Sequence, residues 1–180
     1  KLDLYRKYAQ ELIDKGYAKS LVKDYDRKAI KAKKHRIKEW DYYYLGDEKF
    51  GIALTVADNS YMSLMSVSVF DYVNKHDWTK SYMGWLTFGT VCLPKTSKTG
   101  DVFYDNKNYS MYFKNENGKR RLVCSMKNIV KGQDFECDVY LEETNKNSMV
   151  IATPFKKKKH FYYNQKINLL SAKGSLKFGP

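Results

Sequence analysis

From Gly51 to Phe70 the chain reads GIALTVADNSYMSLMSVSVF, two runs of β-branched, aromatic and methionine residues around the pair Asp58-Asn59. Asp and Asn accept the backbone angles of a tight turn, so the pattern predicts a β-hairpin. In its second arm Tyr61, Met65, Val67 and Val69 share one face, and Met62, Leu64 and Phe70 share the other with Ser60, Ser66 and Ser68. Both faces are partly apolar, which predicts a strand covered on both sides, as in a barrel wall packed on a helix or a second domain. Upstream, RIKEWDYYYL (Arg36 to Leu45) is strand-like by its aromatic content. Alternation places Lys38, Trp40, Tyr42 and Tyr44 on one side and Ile37, Glu39, Asp41, Tyr43 and Leu45 on the other. Two carboxylates among Ile, Tyr and Leu are read as facing solvent. The alternative is a partly polar cavity in which a neighbouring cation holds their charge.

Before this strand, Leu4, Tyr5, Tyr8, Ala9, Leu12 and Ile13 recur at helical spacing between Asp3 and Gly16, predicting an N-terminal amphipathic helix over Asp3 to Lys15. Tyr17 to Lys34 reads as an irregular, basic, solvated connector. Beyond the hairpin, Thr79 to Leu93 is one bent strand or two short ones, ended by Pro94 and a polar loop to Gly100. A meander follows: Val102 to Tyr104, Tyr109 to Phe113, Arg121 to Met126, Phe135 to Leu141 and Met149 to Thr153, with Asn, Asp and Gly in the turns. The last segment, His160 to Leu170, sets Phe161, Tyr163, Ile167 and Leu169 against a ladder of His160, Tyr162, Asn164, Lys166 and Asn168. Strands at this spacing without intervening helices predict a mainly β, antiparallel barrel or sandwich. The expected organisation is a helix and connector over 1–34 and a barrel over 35–180.

Composition narrows the function only a little. At 180 residues the chain suits one core, and 16 Tyr in a 16% aromatic content favour strands and pocket linings. The 33 Lys and Arg against 20 Asp and Glu leave a net charge of +13, which attracts polyanions in general. Only Arg6, Arg27, Arg36, Arg120 and Arg121 are arginines, whereas bidentate phosphate and base recognition favours Arg. The charge is therefore read as a solvated surface, and nucleic acid is disfavoured as a partner. Single-strand binding through Tyr stacking and Lys charge is kept as a further alternative.

Cys92, Cys124 and Cys137 form an odd set without a CxxC pair, which argues for reduced thiols and a cytoplasmic setting. Cys124 and Cys137 fall on apolar faces and read as small core residues. No apolar run reaches membrane-spanning length. His35, His76 and His160 are scattered, and there is no phosphate loop, GxGxxG turn or GxSxG elbow. No metal or cofactor is expected. Acid and base chemistry would have to use Glu39, Asp41, Asp71 or Lys166.

Taken together, RIKEWDYY, GIALTVADN with the Tyr-Met strand after it, MVIATPF, and FYYNQKIN followed by Ala172, Gly174 and KFG resemble an uncharacterised bacterial domain-of-unknown-function family. That family is distantly similar to the carotenoid hydratase and AttH-like proteins, in which two lipocalin-like barrels lie side by side. The resemblance implies a lipocalin-like (calycin) barrel here, the first of two. The second barrel's Asp-Trp-Gly type motif has no counterpart; the nearest string is Asp77-Trp78-Thr79. No catalytic residue carries over, and this chain alone is not expected to turn over substrate. Trp40, Asp41, Tyr163, Asn164 and Lys166 carry over as signature residues without a known role.

With Tyr61 added, those residues are the candidate ligand-binding set for an apolar or amphipathic small molecule, Lys166 meeting an anionic head. The expected macromolecular partner is a second lipocalin-like barrel, in cis or as a separate chain, or a second copy. The alternative is the non-catalytic half of a hydratase- or isomerase-like enzyme acting on an isoprenoid or lipid.

Overall fold

The computed structural model describes residues 18–146 and 148–179, so the helix expected over Asp3 to Lys15 lies outside the described residues. Eleven strands follow in order: β1 (Glu39–Gly46), β2 (Phe50–Asp58), β3 (Met62–Asp71), β4 (His76–Trp85), β5 (Val102–Asn106), β6 (Tyr109–Glu116), β7 (Lys119–Val130), β8 (Gln133–Glu143), β9 (Met149–Pro154), β10 (Phe161–Lys166) and β11 (Leu170–Gly179). They make three antiparallel sheets, β1-β2-β3-β4, β11-β8-β7-β6-β5 and the ribbon β10-β9.

The two large sheets share one core. Cross-strand partners Ile52 and Val69, Leu54 and Val67, and Val56 and Met65 present one face of the predicted hairpin to Met111, Phe113, Leu122, Cys124, Met126 and Phe135. Leu54, Val56, Met65, Val67, Met111, Leu122, Met126 and Phe135 are wholly buried, each contributing roughly 1.5–3 kcal/mol of transfer free energy. Cys124 and Cys137 are buried free thiols, as their faces predict, and Cys92 is exposed. On the hairpin's other face Ala53, Ala57 and Ser66 are buried and Met62, Leu64 and Phe70 half-buried. Alongside it Tyr42, Tyr44, Met83 and Trp85 are exposed.

The barrel expected from the meander does not close among the described residues, because β1, β4, β5 and β11 are edges. The interruption follows Trp85. Leu86, Phe88, Gly89 and Cys92 take φ of 56, 47, 97 and 58°, angles that no extended strand adopts, and Pro94 supplies no ladder donor. This loop replaces the strand expected up to Leu93. It is pinned by Asp58, whose carboxylate is completely buried and accepts from Ser60 N (2.7 Å), Thr87 Oγ1 (2.8 Å), Gly89 N (2.8 Å) and Val91 N (3.3 Å).

The basic connector is not a free linker in its described part. Ala18 exchanges two backbone hydrogen bonds with Val150 of β9, so the chain adds an edge to the ribbon. Single 3-10 turns follow at Arg27–Ala29 and Lys34–Arg36. The last strand, β11, escapes the alternation rule because LSAKGSLKFG is largely exposed. Its Gly174 lies opposite Val139, where any Cβ would collide with the Asp138 carbonyl.

Candidate functional site

In β1 the faces are reversed from the solvent reading of its carboxylates. Glu39, Asp41, Tyr43 and Leu45 are half-buried, and Trp40, Tyr42 and Tyr44 are exposed. Cations meet the inward carboxylates. Glu39 pairs with Arg27 and accepts from the Tyr25 hydroxyl at 2.6 Å. Arg27 also donates to Ser60 Oγ at 2.7 Å, and that hydroxyl donates to the Ile37 carbonyl. Burial first, and the bond to Glu39 second, push the Tyr25 hydroxyl well above the usual phenol range. Burial also lifts Asp41 to about 6, against the pull of Arg120 and with a push from Glu39.

Arg120 comes from the opposite sheet by the same alternation that builds the core. The inward row of β7 is Arg120, Leu122, Cys124 and Met126; that of β6 is Tyr109, Met111, Phe113 and Asn115; that of β8 ends at Leu141 and Glu143. Asn115 and Arg120 are direct cross-strand partners, so the apolar rows end polar at the same end of the sheet. Arg120 is 4% exposed. Its Nη2 donates to Glu143 Oε1 at 2.7 Å and to the Ser97 carbonyl at 3.0 Å, and that carbonyl also accepts from Asn115 Nδ2 at 2.6 Å.

Tyr43 marks the boundary with the apolar core. Its ring meets Phe113 edge-on at 5.1 Å, and burial, with a further push from Asp41, raises its hydroxyl to about 12 against the charge and hydrogen bond of Arg120. The ribbon closes this end, since Gln165 bonds Ser97 Oγ and donates to Ser148 Oγ at 2.8 Å.

Among the described residues, three buried polar atoms here and on the adjoining ribbon have no partner: Arg120 Nη1, Asn115 Oδ1 and Asn164 Oδ1. Of these, the Arg120 donor and the Asn115 acceptor lie together, beside a protonatable Asp41, and form a site with capacity for a polar group.

The sequence-derived candidates do not all converge on it. Asp41 lines the site. Asn164 has a buried oxygen without a partner among the described residues, but it pairs with Ile151, on the ribbon face opposite the buried Val150 and Ala152. Trp40 is on the outward face of β1 and stacks on Tyr162 with centroids 5.8 Å apart. Tyr163 serves the scaffold, its hydroxyl bonding both the amide and the carbonyl of Lys23. Tyr61 is half-exposed in the β2–β3 turn under Lys38 Nζ, and Lys166 is exposed at the end of β10. The sequence reading passed over Arg120, Asn115 and Glu143, although their parity with Leu122, Phe113 and Leu141 points them inward. Among the described residues no group of three or more His, Cys, Asp and Glu could hold a metal ion. No described helix is long and apolar enough to cross a membrane.

The model of a domain of unknown function, DUF2804, matches residues 7–180. The chain belongs to the DUF2804 family. No curated protein and no solved structure matches it significantly. For a DUF2804 chain, then, function has to be argued from the site: a buried Arg with a donor left open among the described residues, a carboxyl lifted to about 6, and the open amide oxygen of Asn115 beside them.

Proposed function

We propose that this DUF2804 protein binds a small amphipathic molecule, in the manner of a lipocalin-like module whose two sheets face one another without closing. The observation that supports this reading is the Nη1 of the buried Arg120, which has no partner among the described residues, because a guanidinium donor kept from water and from acceptors costs stability unless something else accepts from it. The molecule's head carries a carboxylate or carbonyl oxygen for Arg120, and a hydroxyl or amide donor for Asn115 Oδ1. Its apolar part does not enter the filled core. β1 is the edge strand of its sheet, so only the strand's thickness separates Asp41 from Trp40 and its stacked Tyr162. We place the apolar part against that pair.

Native mass spectrometry of the purified protein, followed by extraction and identification of any small molecule, tests the reading. A co-purifying oxygen-bearing amphiphile is expected in the wild type and absent from Arg120→Met. A wild type of clean mass that also gains no stability from fatty acids or isoprenoid alcohols would show that water alone fills the site.

A second reading is favoured by one observation: the two inward carboxylates of β1 differ in environment. Glu39 is held by Arg27 and Tyr25, and Asp41 is half-buried and lifted to about 6 by that burial. Such a divided pair suits proton transfer to an alkene or alcohol in a lipid or isoprenoid; in the hydratase- or isomerase-like alternative, where this chain is the non-catalytic half, turnover would need a second barrel. The macromolecular partner, a second barrel or a second copy, we place on the open outer face of β1–β4.

A further inference from the structure

Away from the Asp41 site, a cleft of about 300 Å³ runs between the 3-10 turn at Lys34–Arg36 and the β9–β10 turn. Six cations line it, Lys31, Lys33, Arg36, Lys157, Lys158 and Lys159, with no carboxylate among its lining residues. None of the six pairs with an acidic side chain among the described residues. Two runs more than a hundred positions apart in sequence thus share one concave surface.

Their meeting is built into the fold. Ile37 is buried, and its carbonyl accepts from Ser60 Oγ, fixing the end of the first turn. The second turn is closed by Phe155 N to the His160 carbonyl at 3.0 Å and His160 N to the Lys157 carbonyl at 3.2 Å. Trp40, three residues beyond Ile37, stacks on Tyr162, two beyond His160. The stack clamps the two basic turns side by side.

Like charges held this close repel, and a solvated face would gain by spreading them or interleaving acids. We propose that this cleft is a binding site for a small phosphate-bearing anion of several negative charges, of the di- or triphosphate class. The lysines act as point charges on phosphate oxygens, which needs no bidentate geometry, and a half-open cleft of about 300 Å³ is of a size for a compact polyanion. The bias against Arg noted in the sequence therefore counts against base reading and leaves simple phosphate binding open.

Calorimetric titration of the whole chain with inorganic tripolyphosphate tests the proposal at about 0.1 M salt, where charges more than about 10 Å apart are largely screened. Saturable one-to-one binding is expected. Lys157→Gln/Lys158→Gln/Lys159→Gln is expected to weaken it by about tenfold or more, a loss of about 1.4 kcal/mol. Lys49→Gln/Lys107→Gln/Lys131→Gln removes the same charge from exposed sites elsewhere and is expected to weaken binding by less than about threefold. Equal losses in the two triple variants would overturn the proposal, since net charge alone would then govern binding. No tripolyphosphate binding, alongside tight binding to single-stranded DNA or to phosphatidylserine vesicles, would overturn it in favour of a polymeric or membrane partner.

Discussion

At Asp41, burial outweighs a neighbouring arginine. The carboxyl holds its proton up to about pH 6 in the fold and only to about 3.9 in the unfolded chain, so folding takes up a proton between those values. The stability contributed by the neutral carboxyl is fully present below about pH 4 and is lost as the pH rises through about 6, amounting to roughly 2–3 kcal/mol. Urea unfolding of wild type and Asp41→Asn across about pH 4 to 7.5 measures it. The amide variant is expected to gain relative stability as the pH rises; parallel curves would mean that a solvated or paired carboxylate sits there. That inward position was only half legible. Period-2 alternation grouped Glu39 with Asp41, Tyr43 and Leu45, but a mixed face does not announce which way it points, and the deciding cations lie outside the strand, Arg27 in the connector before it and Arg120 in the opposite sheet. Arg120 itself was legible, because it continues the Leu122, Cys124, Met126 row.

Elements were read well where alternation was clean and badly where one side chain organised a loop. The hairpin of β2 and β3 falls where its β-branched pattern places it, and its Met65, Val67 and Val69 face is the buried one. The run after Trp85 is as apolar as a strand and yet is a loop, because Asp58 gathers two of its amides and one hydroxyl. In sequence Asp58 reads as an ordinary turn residue, and its partners thirty positions away leave no local mark. Asp58→Asn keeps the shape but turns an NH₂ group toward amide donors on one side. It is expected to cost about 3 kcal/mol, the scale of losing hydrogen bonds to a buried charge, read as a lower urea midpoint with faster amide exchange at Gly89 and Val91. A change below about 0.5 kcal/mol would show that the loop holds itself by other contacts. β11 was illegible for a different reason: an exposed edge strand has no buried face to imprint a pattern.

For the whole molecule, net charge and the open outer face act against each other. The charge of +13 keeps copies apart at low ionic strength. The outer face of β1–β4 has few charges and offers Tyr42, Tyr44, Met83 and Trp85, the last 71% exposed, around a floor of Ala53, Ala57 and Ser66. Screening shortens from about 10 Å at 0.1 M salt to about 3 Å at 1 M, removing the repulsion while leaving apolar attraction intact. Light scattering coupled to size exclusion is therefore expected to show a monomer at low salt and reversible association at high salt, opposite to the salt response of tripolyphosphate in the basic cleft. Trp85→Ser should abolish the association. It is expected to change stability by less than about 0.5 kcal/mol, because a side chain this exposed contributes little to the core. If the variant associates as the wild type does, the attraction lies elsewhere, and the outer face loses its claim to be where a second copy or a second barrel packs.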